Sequence, residues 1–101
     1  MTQIIKNGEK TIIKTGQRID TLNAAQFEND TECVLITGVD LEIDCDELIY
    51  IASSGLRVIQ AMMRSITKEL NGQIKLTNVS PEIYNILYMT GFSRHIAIEK
   101  K

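Results

Sequence analysis

Apolar positions change period several times along this chain, and each change marks an element boundary. Ile4-Ile5 and Ile12-Ile13 are β-branched pairs on either side of Asn7-Gly8. That dipeptide suits the positive dihedral angles of a tight turn, so Gln3 to Thr15 read as a β-hairpin. Gly16 ends or bends the second strand. Gln17-Arg18-Ile19-Asp20 leads to Thr21-Leu22-Asn23, where a hydroxyl or an amide can cap a helix. Ala24, Phe27, Thr31 and Val34 then recur at helical spacing and predict a helix from about Asn23 to Leu35, although Cys33-Val34-Leu35-Ile36-Thr37 also has strong strand propensity.

After Gly38 the period falls to two: Val39, Leu41, Ile43 and Cys45 alternate with Asp40, Glu42, Asp44 and Asp46, which is a strand with one face in the core. Burying the acidic face would crowd four carboxylates together, so the helices are expected mostly on the other side of the sheet. Hard cations take such oxygens. With no matching cluster elsewhere, a solvated face is the simpler reading.

Asp46-Glu47-Leu48 turns and Ile49-Tyr50-Ile51 re-enters the core. A second helix begins near Ser54 and runs to Leu70. Its stripe is Leu56, Ile59, Met63, Ile66 and Leu70, thickened by Val58 and Met62, with Arg57, Gln60, Arg64 and Lys68 opposite. Ser53 and Ser54 fall where a helix start has unpaired N–H groups and a partial positive charge, so they suit a cap and also an anion. Asn71-Gly72 stops this helix in the left-handed way. A short strand, Gln73 to Thr77, follows. Ser80-Pro81 opens a third helix, with Ser at the cap and Pro at its first position, and Gly91 closes it after Thr90. Tyr84 and Tyr88 lie four apart on its flank, and His95 to Glu99 is the last strand.

The order is therefore β-β-α-β-α-β-α-β. Right-handed crossovers through three helices give parallel neighbours, so the expected fold is an α/β domain with a mixed sheet that starts with an antiparallel hairpin. The Ser53 junction then lies at the carboxyl side of the sheet, where ligand sites of open sheets gather.

At 101 residues the chain is expected to form one domain spanning 1–101. Apolar residues make up 44% and charged residues 24%, which excludes a disordered chain. The net charge of -2, with scattered basic residues, argues against a nucleic-acid surface. No apolar run approaches a membrane span and the amino terminus lacks signal-peptide features, so a cytoplasmic protein is expected. Cys33 and Cys45 fit neither a CxxC nor a metal-ligand spacing and read as reduced, small hydrophobes.

No catalytic constellation is legible. Ser53 and Ser54 lack a Gly-x-Ser-x-Gly setting, His95 is the only imidazole, and no nucleotide-binding glycine loop occurs. The expectation is a binding protein rather than an enzyme, without cofactor or metal.

Three separated motifs and one earlier stretch resemble a known family. They are Ile49-Tyr50-Ile51-Ala52-Ser53-Ser54-Gly55-Leu56-Arg57-Val58, then Gly72-Gln73-Ile74-Lys75-Leu76, then Ser80-Pro81-Glu82-Ile83-Tyr84-Asn85-Ile86-Leu87-Tyr88-Met89-Thr90-Gly91-Phe92, preceded by Gly16-Gln17-Arg18-Ile19-Asp20-Thr21. Together they resemble the STAS domains, and within them the bacterial anti-sigma factor antagonists. The resemblance implies a protein–protein switch. The partner would be an anti-sigma factor that is itself a serine kinase, phosphorylation would fall on Ser53, and a serine phosphatase would reverse it. The implied partner-binding residues are Asp20, Asp44, Ala52, Ser53, Ser54, Gly55 and Arg57. Family members often carry an aspartate just before the acceptor serine, where this chain has Ala52. That departure favours an alternative, a nonphosphorylated STAS subunit of a transporter or signalling complex.

Overall fold

The computed structural model describes residues 2–101, and its first element is the expected hairpin. Strand β1 (Gln3–Asn7) pairs antiparallel with β2 (Lys10–Lys14), but the turn falls one residue later than Asn7-Gly8: Asn7 pairs with Lys10, and of the turn residues Gly8 and Glu9 only Gly8 takes a positive φ, +65°. The alternating acidic segment forms β4 (Asp40–Asp44), parallel to β2 on one side and to β6 (Gln73–Val79) on the other. Strand β7 (Ala97–Lys100) closes the order β1-β2-β4-β6-β7. This is the mixed sheet that the crossovers require.

The two sheet faces differ as the alternation demands. Ile13, Leu41, Ile43 and Leu76 are buried in one core with Phe27, Ile59, Met62, Ile66, Ile83 and Leu87 from the helices. The opposite face stays partly open, and its carboxylates meet cations from neighbouring strands. Lys10 lies 3.3 Å from Glu42 and Lys14 lies 3.5 Å from Asp44, while the Thr77 hydroxyl donates to Glu42 at 2.8 Å. Cross-strand pairing thus relieves the repulsion along β4. No group of three or more His, Cys, Asp or Glu among the described residues is placed to hold a metal.

Helix α1 (Ala24–Thr31) stops short of Leu35. The Thr31 hydroxyl bonds back to the carbonyls of Phe27 and Glu28, and Glu32–Val34 tighten into a 3-10 turn that drives Val34 into the core. Such back-bonding competes with regular helix continuation. The strand propensity of residues 33–37 is not realised either.

Helix α2 (Ser53–Arg64) widens into a π-turn over Ser65–Glu69. Asn71, at φ 54°, takes the left-handed position. Gly72 serves a different need, because a Cβ there would run into the Val39 backbone. Helix α3 (Pro81–Met89) starts as expected, with Ser80 Oγ accepting from the Ile83 N–H at 3.2 Å. Its tyrosines stack at 6.4 Å between ring centroids. The last strand starts two residues later than predicted, since Phe92–Arg94 form a 3-10 turn and His95 ends it.

A second, two-stranded parallel ribbon was not foreseen. Strand β3 (Arg18–Ile19) pairs with β5 (Tyr50–Ile51), aligning Ile19 with Ile51. Of the segment expected to re-enter the core, Ile51 does so, whereas Ile49 and Tyr50 face solvent.

Candidate functional site: the β5–α2 junction

The ribbon sets the start of α2. Ala52 donates its N–H to the Ile19 carbonyl at 2.8 Å and has extended dihedrals, so it, rather than either serine, is the residue before the helix. Ser53 and Ser54 are therefore its first two residues. Neither caps it: no side chain caps this end. The first intrahelical bond runs from the Leu56 N–H to the Ala52 carbonyl at 3.1 Å, leaving the N–H groups of Ser53, Ser54 and Gly55 ahead of it. These groups and the helix dipole favour a negative charge beside Ser53.

The two serines sit in different surroundings. Ser53 is exposed, whereas the Ser54 hydroxyl oxygen is buried without a hydrogen-bond partner. Gly55 is buried against the ribbon. A Cβ there would stand 2.6 Å from Ile19 Cγ2 and 3.0 Å from Ile51 Cγ1, so only glycine lets α2 approach this closely.

Asp20 follows Ile19 directly and thus continues the ribbon alongside Ala52. Its carboxylate accepts from the N–H groups of Leu22 at 3.0 Å and Asn23 at 3.1 Å, and from Arg18 Nε at 3.3 Å. Asn23 answers by accepting from the Asp20 N–H at 2.7 Å. Partial desolvation opposes ionisation of Asp20. The hydrogen bonds from Asn23, Arg18 and Leu22, together with the Arg18 charge, outweigh it and hold the carboxyl below its ordinary range. Arg18 in turn lies 4.7 Å over the Tyr50 ring, which ties the turn to the other ribbon strand.

Asp20, Ala52, Ser53, Ser54 and Gly55 thus come together around the ribbon end, with exposed Arg57 one helical turn beyond Ser53. Asp44 does not join them. It lies on the open sheet face, where desolvation is outweighed by hydrogen bonds from Asn78 and the Asp46 N–H and by the Lys14 charge. Its neighbour Cys45 points into the core. Burial first, and the Asp44 charge second, push that thiol up to about 12, which makes it a poor nucleophile.

Sequence reasoning missed two exposed apolar side chains on the segments that flank the ribbon. Leu22 is 95% exposed and Ile49 is 67% exposed, one in the Asp20 turn and the other at the entry to β5. A leucine between two cap-type residues, with no partner at helical spacing, was the available signal.

The STAS domain family model matches residues 2–101. The chain belongs to the STAS domain family. Solved structures agree in fold. An anti-sigma-factor antagonist (STAS) domain protein from Planctomyces limnophilus superposes with a TM-score of 0.89 at 16% identity, over 99% of this chain and 90% of that one. An anti-sigma factor antagonist from Mycobacterium paratuberculosis gives 0.85 at 18% identity, over 100% of this chain and 86% of that one. The Bacillus cell fate determinant SpoIIAA in its phosphorylated form gives 0.73 at 17% identity, over 97% and 90%. At such identities the likeness concerns the fold. No curated protein sequence matches this STAS domain. No helix among its described residues is long and apolar enough to cross a membrane.

Proposed function

We propose that this STAS domain is an anti-sigma factor antagonist. In this reading it binds an anti-sigma factor with serine kinase activity through the β5–α2 junction, and phosphorylation of Ser53 ends the interaction. The observation that carries the reading is the exposure of Ser53 on the first turn of α2, beside the Asp20 turn fixed by its bonds to Leu22 and Asn23; exposed Leu22 lies in that turn, and exposed Ile49 lies at the other end of the ribbon. Exposed apolar side chains on the segments flanking the junction suit a protein contact. Asp20 beside Ala52 supplies a carboxylate to this end of the ribbon although the residue before Ser53 has none. In this scheme Asp44, held on the open sheet face by Lys14 and Asn78, lies outside the contact.

A phosphate adds close to two negative charges at a helix start that tolerates them, so the fold survives modification. The complex does not. Burying the dianion against a partner that offers it no cation costs more than the neighbouring Arg57 alone can offset, and a loss of about 3 kcal/mol already exceeds a hundredfold in affinity. No conformational change is required, and a serine phosphatase restores the binding surface.

Incubation with the cognate anti-sigma kinase and ATP, followed by intact mass and fragment mapping, tests both halves. The expected result is one phosphate on Ser53 and a complex that forms only without it. A complex that forms equally well with Ser53→Ala and Ser53→Asp would instead support the nonphosphorylated adaptor, which the bare Ala52 side chain favours.

A further inference from the structure

A groove of about 330 Å³ runs beside α2, between that helix and the turn after α3. From Ser53 to Met63 it follows about 15 Å of helix axis, at the usual rise of 1.5 Å per residue. Its floor is apolar: Leu56 and Met63 are the half-buried edge of the α2 stripe, and Phe92 comes up from the 3-10 turn. Its rim is basic. Arg57, Arg94 and His95 line it together with Ser53, and no Asp or Glu does.

That sign is opposite to the chain's net charge of -2. Most of the basic residues on the open sheet face are spoken for by carboxylates. Arg57 and Arg94 form no ion pair among the described residues, and both are exposed. A guanidinium presents a planar fork suited to a carboxylate. Two of them flanking an apolar trough of three helical turns match a segment that carries acidic residues on one side and an apolar residue on the other.

We propose that this groove seats an acidic, amphipathic segment of a protein partner. Its carboxylates pair with Arg57 and Arg94, and its apolar side chain rests on Leu56, Met63 and Phe92. The control of the groove rests on the reading of Ser53 given above. Ser53 and Arg57 are four apart on α2 and therefore neighbours on its surface. A phosphate on Ser53 takes Arg57 for itself and faces the incoming carboxylates with like charge.

The test uses the intact protein, isotope-labelled for NMR, and a short peptide of repeated Glu-Glu-Leu-Leu as probe, with its Lys-Lys-Leu-Leu counterpart as control. The acidic peptide is expected to shift the amide signals of residues 53–63 and 90–95, and the basic one to leave them in place. Arg57→Glu with Arg94→Glu should weaken the acidic peptide by about tenfold or more, and added salt should do the same in the parent protein. Arg57→Gln with Arg94→Gln, which keeps the side-chain length, guards against a folding defect and should give a smaller loss. Absence of shifts, shifts elsewhere, or an affinity unchanged by charge reversal overturns the groove. Ser53→Asp should weaken the peptide several-fold. If it does not while charge reversal does, the groove stands and its control by Ser53 falls, whatever the kinase assay shows.

Discussion

Ile19 and Gly55 touch so closely that the helix and the ribbon behave as one piece: a methyl group on Gly55 would stand 2.6 Å from Ile19 Cγ2 and 3.1 Å from Ile19 Cβ. Ile19 Cβ is fixed to the backbone, and moving Cγ2 away requires a new χ1 for a side chain that is buried on all sides. Gly55→Ala is expected to destabilise the fold by about 1–3 kcal/mol, the usual cost of overpacking. In an Ile19→Ala background the same change should cost less, because the obstructing methyl is gone. Urea midpoints of the four proteins check this. Equal costs in both backgrounds would show that the contact does not limit the approach of α2.

Gly72 meets a harder obstacle. The Val39 carbonyl and amide and the Ile66 side chain occupy the space that a Cβ would enter. The main chain cannot yield, since Gln73 donates to the Val39 carbonyl at 2.8 Å and Gly38 donates to the Leu70 carbonyl at 2.7 Å. Gly72→Ala should cost more than Gly55→Ala, about 3 kcal/mol or above. Gly38→Ala is the comparison: open space surrounds Gly38, and only its φ of +76° opposes a side chain, at about 1–2 kcal/mol. A Gly72→Ala protein as stable as the Gly38→Ala protein would contradict the packing argument.

What the sequence disclosed follows from range. The hairpin, the alternating β4 and the start of α3 are set by neighbours a few residues apart, and each appears where its pattern lies. The β3–β5 ribbon was illegible because two-residue strands have no measurable period and pair across the whole of α1 and β4. The same ribbon explains why the serines do not cap α2. Once the Ile19 carbonyl fixes the Ala52 N–H, the helix starts at Ser53, one position ahead of the hydroxyl geometry that a cap needs. The position of Ser53 was thus readable, and its freedom from a capping role was not. The basic groove was equally hidden, since Arg94 reaches it only through the turn after Gly91.

Loss of the hydroxyl should be read in different measurements at Ser54 and Ser53, in stability at the first and in the kinase assay at the second. The Ser54 oxygen is buried and unpartnered, and an unmade hydrogen bond of that kind is a liability to the folded state. Ser54→Ala is therefore expected to leave stability unchanged or raise it by up to about 1 kcal/mol. Ser53→Ala, at an exposed position, should stay within about 0.5 kcal/mol of the parent while abolishing acceptance of phosphate. Thermal melts and the kinase assay, run on both variants, separate the two residues. A clear loss of stability in Ser54→Ala would mean that its hydroxyl has a partner after all.

The acid limb of stability should trace to Asp20 and Asp44. Both carboxyls have folded-state values below the ordinary 3.8, despite desolvation that acts the other way. A depressed carboxyl favours the folded state when ionised, so its contribution is complete above the unfolded value and fades as pH falls through the folded one. Stability should accordingly hold from neutral pH down to about 5 and decline below about 4. Asp44→Asn should flatten that decline. It removes the group that Asn78, the Asp46 N–H and Lys14 favour as an anion, and it lowers stability at pH 7 more than at pH 3. Asp20→Asn should act in the same direction, without the charge that Arg18 reads. Urea midpoints across this range decide the matter: curves for parent and variant that stay parallel below pH 4 would place the acid sensitivity elsewhere.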